Sequence, residues 1–354
     1  MRLHEAFLVP NAPPVRVLRH RGTCGDDAGA AAIALDALFR DTGVPVMDAA
    51  CDGACWAAPA ATVVRAGHRH RFARLDRGVP PALAACVGGM CDEPQAGTGV
   101  GGLTARLGRN DGTLADVLAQ GAYAAAAIAA RLPATRVVEV ARSAGRNVPA
   151  SDGDTLVVRA HDAPGAVAAR HLVEGDPHRL IEGILVAARA TGAGRARVCI
   201  EDARARAAFE RALADASAAG ILDGSALTGD PVVIEVTTDD ASAGIEPGGD
   251  VEALCALTTI FDSPPPPTRL VSLSGDLARF GLVEVPLDGN TTWAGLLATA
   301  GVMPARVQAL LVGGTSRRLV LPADYDTPLS IDALGDGVVR VLSPDADLGE
   351  FEAR

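Results

Sequence analysis

Cys51 and Cys55 stand four positions apart in Cys51-Asp52-Gly53-Ala54-Cys55-Trp56-Ala57-Ala58-Pro59, on a turn that contains a glycine. Two thiolates at that spacing can grip one iron, with nearby backbone amides donating to the sulfurs. Cys24, in Arg21-Gly22-Thr23-Cys24-Gly25, stands upstream, just before a helical run. A second pair, Cys86-Val87-Gly88-Gly89-Met90-Cys91, could complete a cluster or bind zinc. Two ordinary thiols are the favoured reading of that pair, because no further pair with zinc-like spacing exists. Cys199 and Cys255 lie in apolar surroundings and read as buried structural cysteines. His161, His171 and His178 are close in sequence, but no neighbouring cysteine or carboxylate completes a ligand shell, so they read as solvated or capping residues.

The elements that must position these residues fall into four stretches. Residues 15–75 alternate short apolar runs (15–18, 44–47 and 60–64) with one helical run, 28–39, as a small α/β unit does. Residues 76–112 hold the second cysteine pair and then a loop rich in Gly and Pro, 94–112, which reads as a linker. Its Gly97-Thr98-Gly99-Val100-Gly101-Gly102 follows no strand and sits in no βαβ unit, so it is not read as a nucleotide loop. Residues 113–262 alternate helices near 113–131, 134–144, 177–191 and 202–219 with strands near 155–160, 195–200 and 231–237, a pattern of helices packed on a sheet. Four prolines, Pro264–Pro267, make a stiff spacer. Beyond it, strands at 269–274, 282–286, 309–312 and 338–342 surround one helix at 292–300, compatible with a β-grasp module.

Composition removes several function classes. The net charge of −11 disfavours nucleic acid and anionic membranes as partners. There is no lysine, so a Schiff-base or phosphate-loop lysine is excluded. Residues 1–16 lack an apolar core after a basic start, and the longest apolar run, 122–130, is too short to span a bilayer. A cytoplasmic protein without membrane insertion is the expectation. Seven cysteines in 354 residues suit ligands or buried thiols better than a disulfide framework.

The run Val173-Glu174-Gly175-Asp176-Pro177-His178-Arg179-Leu180-Ile181-Glu182-Gly183-Ile184-Leu185 marks a helix start, with Asp176 as cap and Pro177 at the first position. Leu180, Ile181, Ile184, Leu185 and Ala188 share one face, and Gly192 ends the pattern. This wording resembles the NADH- and flavin-binding subunit of respiratory complex I and of NAD-linked hydrogenases and formate dehydrogenases. The cysteine layout upstream resembles the thioredoxin-like [2Fe–2S] subunit that accompanies it, which uses a Cys-x4-Cys pair and later a Cys-x3-Cys pair. The resemblance implies Cys24, Cys51 and Cys55 as ligands, with Arg19 in the place of the fourth. His20, Cys86 or Cys91 is then the candidate for the missing ligand. Loss of the cluster, with the cysteines as relics in a packed unit, is the competing expectation.

The flavoprotein family's flavin and nicotinamide motifs are rewritten. Where its glycine-rich loop lies, this chain has Gly145-Arg146-Asn147-Val148-Pro149, and Val148 is β-branched and resists positive φ. Where its acidic motif lies, the chain has Ala160-His161-Asp162-Ala163-Pro164-Gly165, in which Asp162 reads as a turn or cap residue. A third motif is replaced by Thr237-Thr238-Asp239-Asp240-Ala241-Ser242. FMN and NAD are therefore not expected, and Gly145, Asn147, Val148 and Asp162 mark a degenerate site.

The C-terminal part, Leu270-Val271-Ser272-Leu273-Ser274-Gly275 onward, resembles the soluble-ligand-binding β-grasp (SLBB-like) insertion of the same flavoprotein, and no Cys-x2-Cys-x2-Cys motif for a [4Fe–4S] cluster follows. The expected organisation is α/β throughout: a thioredoxin-like [2Fe–2S] domain over 1–75, a linker over 76–112, a degenerate flavoprotein-like domain over 113–262 and a β-grasp domain over 268–345. The resemblance implies a non-catalytic electron-transfer or scaffold subunit of a redox complex, relaying electrons through one [2Fe–2S] cluster. Its partners would be subunits of a hydrogenase, a formate dehydrogenase or a complex I-like assembly. An active NADH dehydrogenase with a divergent flavin loop and a cofactor-free structural subunit are the alternatives.

Overall fold

The computed structural model describes residues 15–21, 29–91, 102–238, 249–261 and 267–348. Cys24 and residues 97–101 lie outside the described residues. The chain is an α/β protein built on three sheets. In the first, strands β1 (Val15–Arg21), β2 (Val46–Ala50), β3 (Ala61–Arg65) and β4 (His68–Phe72) lie in the order β2-β1-β3-β4. Helix α1 (Gly29–Phe39) connects β1 to its parallel neighbour β2, whereas β3 and β4 add antiparallel. Val17, Leu35, Phe39 and Val63 form a core there with Leu83 and Cys86 of helix α2 (Pro81–Val87).

Residues 102–112, expected at the end of a linker, are instead packed: Leu103 and Leu107 are each only 1% exposed and join the central core. The expected single helix over 113–131 is broken into α3 (Leu114–Ala119) and α4 (Ala124–Ala129). Gly121 and Tyr123 take positive φ between them, which ends one helix and starts the next. Next come α5 (Ala134–Ser143), β5 (Thr155–Arg159), α6 (Ala168–Gly175), α7 (Pro177–Thr191), β6 (Arg195–Cys199), α8 (Ala203–Ala218), β7 (Val233–Thr237), β8 (Gly249–Asp250) and α9 (Val251–Ala256). The second sheet runs β7-β6-β5-β8, all parallel. Helices α6 and α9 were not expected from the sequence.

Helix α7 ends as expected at Gly192, in the left-handed conformation, but its start and its faces differ from expectation. Every residue from Pro177 to Ala188 is buried, not one stripe. Asp176 makes no capping hydrogen bond; its Oδ2 accepts from Arg106 Nε at 2.7 Å and Arg179 Nε at 2.9 Å. The reason is burial on all sides: a charge with no route to water must be paired. Glu182 accepts from the amide of Ala125 at 2.9 Å, and His178 Nδ1 lies 2.8 Å from the Tyr123 hydroxyl. Neither His178 nor His171 is solvated.

The third sheet comprises β9 (Thr268–Gly275), β10 (Gly281–Pro286), β11 (Ala309–Val312), β12 (Arg318–Val320) and β13 (Val338–Leu342), in the order β10-β9-β13-β11-β12. Helix α10 (Trp293–Thr299), capped by Thr292, crosses it and buries Trp293, Leu296 and Leu297. A one-turn helix, α11 (Ile331–Leu334), precedes β13. Two carboxylates, the buried Glu284 and the half-buried Glu252, tie this sheet to the rest. Glu284 accepts from the amides of Leu103 and Thr104 at 3.0 and 2.9 Å and from the Thr268 hydroxyl at 2.8 Å. Glu252, in the first turn of α9, accepts from the Leu270 amide at 2.8 Å and pairs with Arg269 at 2.9 Å. No helix among the described residues is long and apolar enough to cross a membrane.

Two stability predictions follow from these contacts. A Cβ at Gly183 would overlap the backbone carbonyl of Leu254 where α9 crosses α7. Ala is favoured over Gly within a helix by about 1 kcal/mol, whereas overpacking against backbone costs about 1–3 kcal/mol or more. Gly183→Ala is therefore expected to destabilise, read as a lower urea midpoint; a raised midpoint contradicts the packing. Burial pushes the Glu252 carboxyl up to about 7, against the pull of Arg269 and with the push of Asp250 and Glu284. A carboxyl raised on folding contributes stability that is complete below its unfolded pKa and lost as pH rises through about 7. The shift amounts to roughly 3 kcal/mol at about 1.36 kcal/mol per unit. Glu252→Gln is thus expected to gain on the wild type between about pH 5 and 8; a stability difference that stays constant over that range contradicts the assignment.

Candidate metal centre

β2 ends at Ala50, and the chain turns through Cys51–Cys55 into a single 3-10 turn, Cys55–Ala57. Gly53 takes φ +86° at the apex, a conformation that favours glycine. Asp52 holds the turn from below: its Oδ1 accepts from the Ala54 amide at 3.1 Å and from Arg71 of β4 at 3.2 Å, and its Oδ2 pairs with the same guanidinium. The neighbouring charges of His20 and Arg71 hold the Asp52 carboxyl below the usual range although burial opposes them. The Gly53 amide points at Cys51 Sγ from 3.4 Å, the kind of donor that favours a thiolate.

The third sheet clamps the other side of the turn. Leu282 donates its amide to Gly53 O at 2.8 Å, and Trp56 donates to Phe280 O at 3.3 Å. Gly281, at φ +127°, lies against the turn so closely that a Cβ there would overlap Gly53 O and come within 3.2 Å of Cys55 Sγ. Residues 102–112 close a further side, where Gly108 lies against Asp52 and His20.

The central unit supplies the third donor. His171, on α6, is 2% exposed. Its Nδ1 lies 2.8 Å from Val167 O, one turn back, so Nδ1 carries the proton and Nε2 presents a lone pair. Cys55 Sγ is 4.0 Å from that Nε2. The donor atoms of Cys51, Cys55 and His171 all lie within 4.8 Å of one another. Tetrahedral bonds of about 2.0–2.3 Å to one ion put its donors roughly 3.3–3.8 Å apart, so the 4.0 Å between Cys55 Sγ and His171 Nε2 is a little wider than a ligating spacing. Glu174, one turn further along α6, faces the same imidazole electrostatically, and burial pushes its carboxyl up.

The structure brings together only part of what the sequence proposed. Cys51 and Cys55 meet; Cys24 lies outside the described residues. His20 is buried on β1 with Nε2 2.9 Å from the Thr62 hydroxyl, and burial lowers its pKa. Cys86 and Cys91 are joined to each other as a disulfide, beside His70 rather than beside Cys51. Sequence reasoning missed His171, whose sulfur neighbours are more than a hundred residues away; the cap at Asp162 and the apolar Leu172-Val173 were the available signal for its helix. Cys199 and Cys255 are buried as expected, and burial pushes the Cys255 thiol well up.

At the positions where the sequence suggested a degenerate flavin site, Gly145 ends α5 at φ +68° and faces the Pro267 ring. Asn147 is exposed, and Val148 packs half-buried against the central core. Asp162 is a cap: its two oxygens accept from the Ala169 and Arg170 amides in the first turn of α6, at 2.8 and 3.1 Å. Two cavities among the described residues, of about 160 and 320 Å³, are lined by none of these four. The larger is bordered by Arg106, Gln120, Arg179, Glu182 and Phe261.

No protein-family model matches the sequence. No curated protein matches it either. Among solved structures, the fold is similar to a chain of an NAD+-reducing [NiFe]-hydrogenase in the H2-reduced state, with a TM-score of 0.51 and 19% identity over 98% of this chain and 71% of that one. A chain of an NAD+-reducing [NiFe]-hydrogenase in the air-oxidized state aligns with a TM-score of 0.45 and 20% identity over 98% of this chain and 72% of that one. At such identity the first likeness shows the fold alone: the α/β chain with its three sheets resembles a hydrogenase chain in fold.

Gly281→Ala tests the clamp on the cysteine turn. It is expected to destabilise by about 1–3 kcal/mol and to speed alkylation of Cys55 by iodoacetamide. Gly289→Ala is the control, since Gly289 has φ +78° but nothing within 4 Å; equal effects of the two on Cys55 reactivity contradict the clamp.

Proposed function

We propose that this chain is a non-catalytic subunit of a multi-subunit oxidoreductase and carries a metal centre on Cys51 and Cys55 that relays electrons between partner subunits. The observation that carries this reading is the convergence of the two sulfurs and one imidazole nitrogen within 4.8 Å, in a turn gripped by all three units of the fold. The first sheet then corresponds to a thioredoxin-like [2Fe–2S] domain, the second to a flavoprotein-like domain and the third to an SLBB-like β-grasp domain. A [2Fe–2S] cluster needs four protein donors, and Cys24 is the donor the sequence adds to those in the described residues. The donor chemistry, thiolate with imidazole, suits iron or zinc and not a hard cation.

The likeness to a hydrogenase chain supports a redox complex as the setting, with hydrogenase-type, formate dehydrogenase-type or complex I-like subunits as partners. Against an NADH dehydrogenase stands the occupation of the flavin positions: Val148 is committed to the core, and both oxygens of Asp162 are committed to α6. A relay has no need of a substrate pocket, so loss of the flavin site is compatible with the role.

The visible and EPR spectra of anaerobically purified protein test the reading. Broad absorbance bleached by dithionite, with iron and acid-labile sulfide in equal amounts, is the expected outcome. Cys51→Ser and Cys55→Ser should each lose most of that iron. Stoichiometric yellow flavin supports the dehydrogenase instead, and a colourless, metal-free protein supports a structural subunit.

A further inference from the structure

We infer that His171 is a protein ligand of the metal centre together with Cys51 and Cys55, so that the metal joins the first unit to helix α6 of the central unit. The inference rests on the proposed metal centre and names a donor that the cysteine pattern does not. Three observations converge on it. The imidazole is oriented by its own helix: Nδ1–H is held by Val167 O at 2.8 Å, the outer hydrogen bond by which ligating histidines are fixed in one tautomer. The opposite nitrogen is the one that faces sulfur, 4.0 Å from Cys55 Sγ and within 4.8 Å of Cys51 Sγ. Of the other donors considered among the described residues, His20 is engaged with Thr62 and Cys86 with Cys91.

A plain packing contact is the competing account. A thiol is a weak donor, so 4.0 Å between sulfur and nitrogen contributes little by itself to orienting a buried imidazole. A single zinc-type ion between them would take all three donors at once; in a [2Fe–2S] centre, where each iron takes two protein donors, the three would be divided between the irons. Replacing a thiolate by a neutral imidazole also removes one negative charge from the centre. Imidazole ligation raises the potential of two-iron clusters relative to all-cysteine ones, so a relay here would sit at a higher potential than an all-cysteine cluster of the same type.

X-ray absorption at the metal edge, on the full chain purified anaerobically, reads the ligands directly. The expected result is sulfur scattering plus one imidazole nitrogen at about 2.0–2.1 Å. His171→Cys should keep the metal and lose the imidazole signature, and His171→Ala should weaken metal retention about tenfold or more, since even outer partners of ligating histidines are worth 10–100-fold. Because the wild-type spectrum alone contains the answer, a variant that fails to fold does not spoil the test. Iron or zinc bound by sulfur without imidazole overturns the assignment of His171 but leaves a metal centre standing. Zinc with one imidazole upholds His171 and overturns the electron relay. A chain that takes up neither zinc nor iron with sulfide overturns both.

Discussion

A helix buried on every side can carry charge only if each charge is answered within the protein, and α7 sets that condition for the whole molecule. Arg179, Glu182 and His178 all lie on it, and Asp176 stands at its head. Asp176 is answered by Arg106, which reaches it from residues 102–112, and by Arg179 of the same helix. Two guanidiniums hold the Asp176 carboxyl below the ordinary range despite complete burial. Removing one partner from such an arrangement leaves an unpaired buried charge, a loss of about 3–5 kcal/mol. The network is therefore a geometric constraint more than a source of net stability.

The consequences of that constraint spread outward to the cysteine turn. Asp176 is also where α6 ends, so pairing it with Arg106 fixes the C-terminal end of the helix that carries His171. Asn110 donates to Gly175 O at 3.0 Å and pins the same helix end again. The stretch that supplies Arg106 and Asn110 also supplies Leu103 and Thr104 to Glu284, and Gly108 to the floor under Asp52. One short segment of tight turns thus sets the distance between the first unit, the central helices and the third sheet. It reinforces the direct packing of α6 on the end of β2, where Gly175 lies against Ala50.

What the sequence could and could not disclose follows from how local each determinant is. Helix α7 announced itself through Pro177, its apolar spacing and Gly192, all within one stretch of chain. Four of the five strands of the third sheet and the helix that crosses it were legible for the same reason, with Thr292 as a local cap, whereas the three-residue β12 and the one-turn α11 were not. Helices α6 and α9 were missed because each is one or two turns long, too short for a period of 3.6 to stand out. The burial of Arg106 was hidden because its partner lies 70 positions away, and a Gly-rich stretch around it suggested a linker. His171, read as solvated or capping, was hidden on the same ground: its partners were sought among neighbours in sequence, whereas the sulfur it faces is 116 positions away. Of the candidate site, the Cys51–Cys55 pair could be read directly, and the donor that faces it could not.

The glycines at the cysteine turn explain why such a junction can be tight without being strained. Gly53 and Gly281 both take positive φ, and each occupies a place where a Cβ would press on the opposite backbone. Their absence of side chains lets two loops from different sheets exchange backbone hydrogen bonds through Leu282 N and Gly53 O. A turn held by hydrogen bonds on its apex, its flank and its floor loses little further entropy when a metal is added. The same rigidity leaves the two sulfurs few other arrangements, so a third donor, as proposed for His171, would have to come to them. Helix α6, fixed at its N-terminal turn by Asp162 and at its end by Asn110 and Asp176, is the element that brings it. Both oxygens of the Asp162 carboxylate are thereby committed to holding the first turn of the helix that carries this imidazole.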